Sequence, residues 1–259
     1  MAMKVMFDSN VWRKIAVPED NTEDSQFDAL RKIHDAIVDG RIEAYLSESI
    51  FTWENIPRKK RKAKVGSMKA KVKTTVKEKE NVVSMGFVLG PNPDDAVSLD
   101  DNEYLKKPTE AALQMGFHIV RLPRIGGLTN KDIEDKLYKV PDFEKYYSKA
   151  TKVGTQIEAN GAGISQLDEL IKNNSGRSIS EKIKNAPESD LKKIASAIAE
   201  AVDGDAVATS IGLECDYFCT RDEAKGAGTK SVLSASNVSW LNADYGFVVK
   251  KPEEIADLL

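Results

Sequence analysis

The stretch Lys4–Asn10, KVMFDSN, decides how the chain is read. Its apolar run Val5–Phe7 has the character of a buried strand, and it ends on a carboxylate, Asp8, followed by the small polar pair Ser9 and Asn10. A charge at the end of a buried strand is costly to desolvate unless something there uses it. In α/β sheets that end of the strands is where ligands sit.

Outward from this strand, helical and extended patterns alternate. Apolar residues at Phe27, Leu30, Ile33, Ile37 and Val38 have helical spacing and are closed by Gly40. RIEAYLS reads as a second strand, and ESIFTWENI opens a helix that stops at Pro57. NVVSMGFVLG and FHIVRLP are further strands, separated by the loop PNPDDAVSLDDNE and by YLKKPTEAALQMG, a helix interrupted at Pro108. From Leu128 to Asn185 the pattern is helical and polar. ESDLKKIASAIAEAVDG is an amphipathic helix ended by Gly204; DAVATSIGLE reads as a separate short buried helix opened by Asp205. CDYFCT and YGFVVKKP are the last strands, followed by EEIADLL. The alternation predicts a three-layer α/β/α sandwich around a mainly parallel sheet, with a large α-rich insertion. Its expected organisation is a core in two parts, residues 1–56 and 188–259, interrupted by an insertion over 57–187 that carries a basic segment at 57–80.

With 259 residues, 41% hydrophobic and 31% charged, the chain can bury one substantial core. MAMKVMF is too short for the apolar part of a signal peptide, and no apolar run approaches the ~18 residues of a membrane span. These features point to a soluble cytoplasmic protein without membrane contact. Cys215 and Cys219, with only His34 and His118 elsewhere, make a poor zinc set and read as small hydrophobes.

The overall charge of −3 conceals an asymmetry. Between Pro57 and Glu80 eleven Lys or Arg stand against two Glu, a net of +9, so the rest of the chain carries −12. A basic block on an acidic body is either a polyanion-binding arm or a solvated loop. Arg58, Lys59, Lys60, Arg61, Lys62 and Lys64 are its candidate nucleic-acid contacts.

Asp8 ends the first strand, Glu54 sits on the helix after the second, Asp205 opens the buried helix and Asp222 follows the strand YFCT. Singly, Asp205 and Asp222 read as helix caps. If the strands are parallel and adjacent, however, all four acids converge at one edge of the sheet. Carboxylates so placed repel one another unless cations lie between them, and oxygen-only ligands favour magnesium or manganese over zinc. Of the remaining features, the paired glycines of NGAGIS, His34, Trp12 and Trp53 read as packing or surface residues before any phosphate loop, catalytic or base-stacking role.

The residues resemble one family. VMFDSNVW is similar to the vllDtNvl opening of PIN-domain nucleases, DAVATSIGLECDYFCTRDEAKG to their segment around the third and fourth acids, and NVSWLNADYGFVVKKPEEIADLL to their closing strand and helix. The likeness covers residues 3–56 and 188–259. It implies that Asp8, Glu54, Asp205 and Asp222 hold two divalent ions, magnesium or manganese, and hydrolyse a phosphodiester. Asn10 and Thr220 then support the first aspartate. Glu48 competes with Glu54 for the second acid. The implied substrate is nucleic acid, RNA before DNA, and the family leaves room for a homodimer and for an inhibitory protein partner. Two other readings share these residues: an RNA- or ribosome-binding module with little catalysis, and a toxin ribonuclease. The long stretch between the two matching parts departs from compact family members.

Overall fold

A computed structural model describes residues 2–79, 82–122, 128–222 and 230–259. The strands are β1 (Met3–Phe7), β2 (Ile42–Ser47), β3 (Ala70–Lys79), β4 (Val82–Pro91), β5 (His118–Val120), β6 (Tyr217–Cys219) and β7 (Val249–Lys250). The helices are α1 (Trp12–Ala16), α2 (Phe27–Val38), α3 (Arg61–Ser67), α4 (Glu103–Met115), α5 (Phe143–Ala159), α6 (Ser165–Ile171), α7 (Ile179–Lys184), α8 (Leu191–Gly212), α9 (Ala235–Tyr245) and α10 (Pro252–Ala256).

Five strands form one sheet in the order β5-β2-β1-β6-β7, and each neighbouring pair is parallel. Side chains alternate across it, so Val5, Phe7, Ala44, Leu46 and Cys219 face one core with α1, α2, α4 and α10. Met6, Tyr45, Val120 and Phe218 face the other core with α5, α8 and α9. Both faces are covered, as a parallel sheet requires, giving the three-layer α/β/α arrangement. The chain leaves β1 to build β2 and β5 on one side, then returns to add β6 and β7 on the other. The order therefore reverses between β1 and β6, and ligands of open α/β sheets bind at the carboxyl ends of such a pair.

Residues 57–187, set apart by their pattern as an insertion, contribute to the sandwich itself. β5 is its edge strand, and α4 and α5 supply core residues on opposite faces. Outside the sandwich, α3, α6 and α7 enclose a third cluster, with Val65, Leu167, Ile171 and Ile183 packed on Ile194 and Ile198 of α8. The basic segment is not a loop: it forms α3 and then β3, which pairs antiparallel with β4 in a separate two-stranded ribbon.

Several local expectations are corrected. Gly204 does not end a helix; α8 runs unbroken through 22 residues, and Asp205 lies inside it instead of opening a second helix. The glycine serves close approach. A Cβ there would stand 3.0 Å from the Cα of Gly163, whose φ of +63° suits glycine. Gly163 of NGAGIS thus packs its turn against α8. α4 continues through Pro108, because the carbonyl deprived of its donor belongs to Tyr104 in the exposed first turn. ESIFTWENI holds only one π-helical turn, Ile50–Glu54. Among the described residues, no helix is long and apolar enough to cross a membrane.

Candidate functional site

Asp8 follows β1 at the reversal point and is only 4% exposed. Its backbone N–H bonds the Cys219 carbonyl, which ties it to the end of β6. Both oxygens of its carboxylate accept hydrogen bonds. Oδ1 accepts from the Ser9 N–H at 2.6 Å, and Oδ2 accepts from Asn10 Nδ2 at 2.8 Å and from the Thr220 hydroxyl at 2.5 Å. Asn10 Nδ2 also reaches Thr220 Oγ1, at 3.1 Å, while its Oδ1 accepts from the Arg221 N–H. Thr220 Oγ1 in turn accepts from the Asp222 N–H at 2.9 Å. Asn10 and Thr220 therefore fasten the ends of β1 and β6 together and fix the first aspartate. Arg221 is drawn the other way, forming a bidentate pair with Asp24 at 2.9 and 2.7 Å. That pair holds the Asp24 carboxyl well below the usual carboxylate range.

Glu54 ends the π-helical turn after β2, a rare geometry that recurs at functional sites. Burial raises its pKa, and the charge of Asp8 raises it further, against Arg61 and a hydrogen bond from Ser9. Glu54 therefore lies within reach of the charge of Asp8. Glu48 goes elsewhere: both its oxygens accept from Arg121 at 2.6 Å, and Arg121 continues to Glu134. This network fastens the segment after β5 to the end of β2, where Glu48 N–H bonds the Val120 carbonyl.

A further acid, Asp203, joins Asp8 and Glu54 from the helix that carries Asp205. Asp203, half-buried on α8, has its carboxyl pushed well above the ordinary range by burial and then by the charges of Asp8, Glu54, Glu200 and Asp222. Asp205 is two residues further along an unbroken helix, ~200° around its axis, and its charge acts on the Tyr146 hydroxyl. Sequence reasoning missed Asp203 because it broke the helix at Gly204. Read as one helix, Glu200 and Asp203 are three residues apart and share a face. Glu200 is buried and accepts from the Val232 N–H at 2.6 Å and the Gly163 N–H at 3.3 Å. Burial raises its pKa, with Asp222 adding to the rise. Asp222 is exposed at the rim of the group, and the reading of it as a cap for the segment from Glu223 lies outside the described residues.

The structure thus brings Asp8, Glu54 and Asp222 into one electrostatic group with Asp203 and Glu200. All donors are oxygens, as hard divalent cations prefer. Their spacing is wider than a shared ion demands: among the described residues, no group of three or more His, Cys, Asp or Glu side chains is placed to hold a metal. The donor chemistry fits magnesium or manganese; the carboxylates do not close on one point.

The basic candidates divide. Arg58, Lys59 and Lys60 are exposed and Lys64 is half-exposed. Lys62 pairs with Glu188 at 2.6 Å. Arg61 is buried, and its guanidinium donates to the carbonyls of Ile56 and Ala195, both at 3.0 Å, and of Glu54 at 3.4 Å. It holds Glu54 in place and is not free to grip a phosphate. Trp12 is buried against Phe51 and His34 bonds the Ile15 carbonyl at 2.8 Å, so both are packing residues. Comparison of the chain with protein-family models, with curated proteins and with solved structures gives no match.

Proposed function

We propose that the chain is a PIN-like, divalent-metal-dependent nuclease that hydrolyses phosphodiester bonds in RNA, with Asp8, Glu54, Asp203 and Asp222 as its acids. One observation carries this reading: the Asp203 carboxyl is raised by burial and then by the charges of four other acids, which come from three other places in the chain and from its own helix. Gathering like charges at a half-buried site costs stability, an arrangement that clusters at functional sites. Its place at the sheet's reversal point and the resemblance of both ends of the chain to PIN-domain nucleases support the same reading.

Magnesium or manganese, when bound, would polarise the phosphate and lower the pKa of the attacking water. Asp8, Glu54, Asp203 and Asp222 would hold the ions. Thr220, Asn10 and the Ser9 N–H fix Asp8, and Arg61 fixes the turn that carries Glu54. Arg58, Lys59, Lys60 and Lys64 offer positive charge beside that turn. A second reading, RNA binding without catalysis, is favoured by the engagement of both Asp8 oxygens and by the wide spacing of the acids. Incubating 5′-labelled single-stranded RNA with the protein in Mn²⁺ or Mg²⁺ separates the two. Cleavage by wild type that Asp203→Asn abolishes and Asp205→Asn retains supports the nuclease; binding with no cleavage in either metal overturns it.

A further inference from the structure

Between α6 and the first half of α8 lies a groove of about 860 Å³, a size within the ~300–1,000 Å³ of ligand-binding clefts. Lys192, Lys193 and Ser196 line it from α8 and Gln166 and Glu169 from α6, while Leu170 and Ala197 supply apolar surface. Lys230 lines it too, and its carbonyl accepts from Gln166 Nε2 at 2.5 Å, which fixes it beside α6.

The groove and the acids share one face of α8. At ~100° per residue, positions 192, 193, 196 and 197 span an arc of ~140°, and Glu200 and Asp203 fall inside it. Lys192 and Asp203 stand ~16 Å apart along the axis. Glu200 joins the two regions. Its Oε1 accepts from the Gly163 N–H at 3.3 Å and the Val232 N–H at 2.6 Å, which fastens to α8 both the turn that enters α6 and the segment after Lys230.

The groove is positively charged. Its acid Glu169 pairs with Lys172 outside it. Lys193 meets Asp190 at 3.1 Å in an exposed pair that water screens. Among the described residues, no acidic side chain pairs with Lys192 or Lys230. An anion therefore suits the groove, and the neighbouring acids narrow the choice. An acidic peptide laid along this face would bring its own carboxylates up to Glu200 and Asp203, whereas a phosphodiester reaches such acids through divalent cations. Leu170 and Ala197 offer apolar surface to the faces of bases.

We infer that the groove between α6 and α8 holds the phosphate backbone of an RNA strand a few nucleotides from the acids, with Lys192, Lys193 and Lys230 as its cations. The choice of RNA rests on the nuclease reading; the groove's grip on a phosphate backbone is tested without cleavage.

The test measures anisotropy of a labelled single-stranded RNA of about 20 nucleotides with the full chain in EDTA, from about 50 to about 200 mM KCl. Each neutralised phosphate contributes about −0.7 to the salt slope on single strands, so Lys192→Gln, Lys193→Gln and Lys230→Gln combined flatten it by up to ~2.1. Wild type then loses up to about 18-fold more affinity than this variant over the fourfold salt range. Ser196→Trp, at an exposed position, fills the groove and keeps all three lysines; it flattens the slope as well, which loose surface attraction would not do. Arg31→Gln, Lys106→Gln and Lys107→Gln, on α2 and α4 across the sheet, leave the slope unchanged. Lys→Arg at the three groove positions keeps it, which excludes a folding artefact. Superimposable isotherms for wild type and the groove Gln variant, an unaltered slope in Ser196→Trp, or no RNA binding by wild type at the lowest salt overturns the groove. Equal binding of a labelled poly-glutamate of the same charge overturns the choice of a phosphate backbone. Groove-dependent binding without cleavage in Mn²⁺ keeps the groove and rejects the nuclease; cleavage with groove-independent binding does the reverse.

Discussion

Thr220→Val removes the hydroxyl that joins β1 to β6 while keeping the side chain's shape. Oγ1 donates to Asp8 Oδ2 at 2.5 Å and accepts from the Asp222 N–H at 2.9 Å and Asn10 Nδ2 at 3.1 Å. The first bond is charge-assisted and buried, worth about 1.5–3 kcal/mol; the other two join neutral groups that water reaches, together about 1 kcal/mol. The expected loss is ~2–4 kcal/mol near neutral pH, a fall in Tm of roughly 5–15 °C for a chain of this size. The loss depends on pH with a definite sign. Burial raises the Asp8 pKa and the Thr220 bond lowers it, because the bond favours the ionised form. The difference between wild type and variant is therefore full where Asp8 is ionised in both proteins. It shrinks as pH falls through the folded pKa of Asp8. Urea unfolding of both proteins across this range, in EDTA, measures it. Equal stability at neutral pH, or a gap that does not narrow in acid, would refute the view that Thr220 holds an ionised Asp8.

Four further outcomes follow from the same contacts. Glu54→Gln should abolish metal-dependent cleavage with little loss of stability. Glu48→Gln should retain cleavage but unfold earlier by ~2–4 kcal/mol, since it weakens a bidentate, largely buried pair with Arg121 and leaves the guanidinium undercompensated; this is read by urea midpoint. In EDTA the wild-type Tm should rise as pH is lowered from alkaline values towards the ordinary carboxylate range, because Asp203, Asp8, Glu54 and Glu200 all have raised pKa values and the folded protein takes up protons that the unfolded chain does not. A Tm that falls steadily over this range would contradict the clustering. Gly204→Ala should destabilise by about 1 kcal/mol in thermal unfolding, as the overlap of its Cβ with the backbone of Gly163 outweighs a ~1 kcal/mol gain in helix propensity.

Much of this architecture is legible in the chain. Val5–Phe7 ending on Asp8 announces the central strand, and the apolar runs around Ala44 and Phe218 announce its parallel neighbours. These are short, fully buried strands whose pattern is set by both faces of the sheet. Asn10 and Thr220, which join β1 to β6, are pointed to by the resemblance to PIN-domain nucleases and not by the strand pattern. The failures arise where long-range packing overrules local rules. Gly204 reads as a stop, but its lack of a side chain serves contact with Gly163, and the false break hid Asp203, which stands three residues after Glu200 on one unbroken helix. Pro108 sits inside α4 because the carbonyl it leaves without a donor is on the exposed side. Arg61 looks like one of a run of surface charges, and only the fold reveals that its guanidinium is buried on three carbonyls. The ribbon was hidden for a similar reason: lysine density reads as loop, while the alternation of lysine with valine and threonine in KVKTTVK is what pairs it with β4.

The central claim is that the carboxylates of Asp8, Glu54, Asp203 and Asp222 share divalent cations. Crystals grown with Mn²⁺ and measured at the manganese absorption edge test this directly. The account predicts an anomalous peak between those four side chains, with Thr220 still bonded to Asp8, and no peak there in Asp203→Asn. A wild-type map at saturating Mn²⁺ with no anomalous density among the four carboxylates would contradict it.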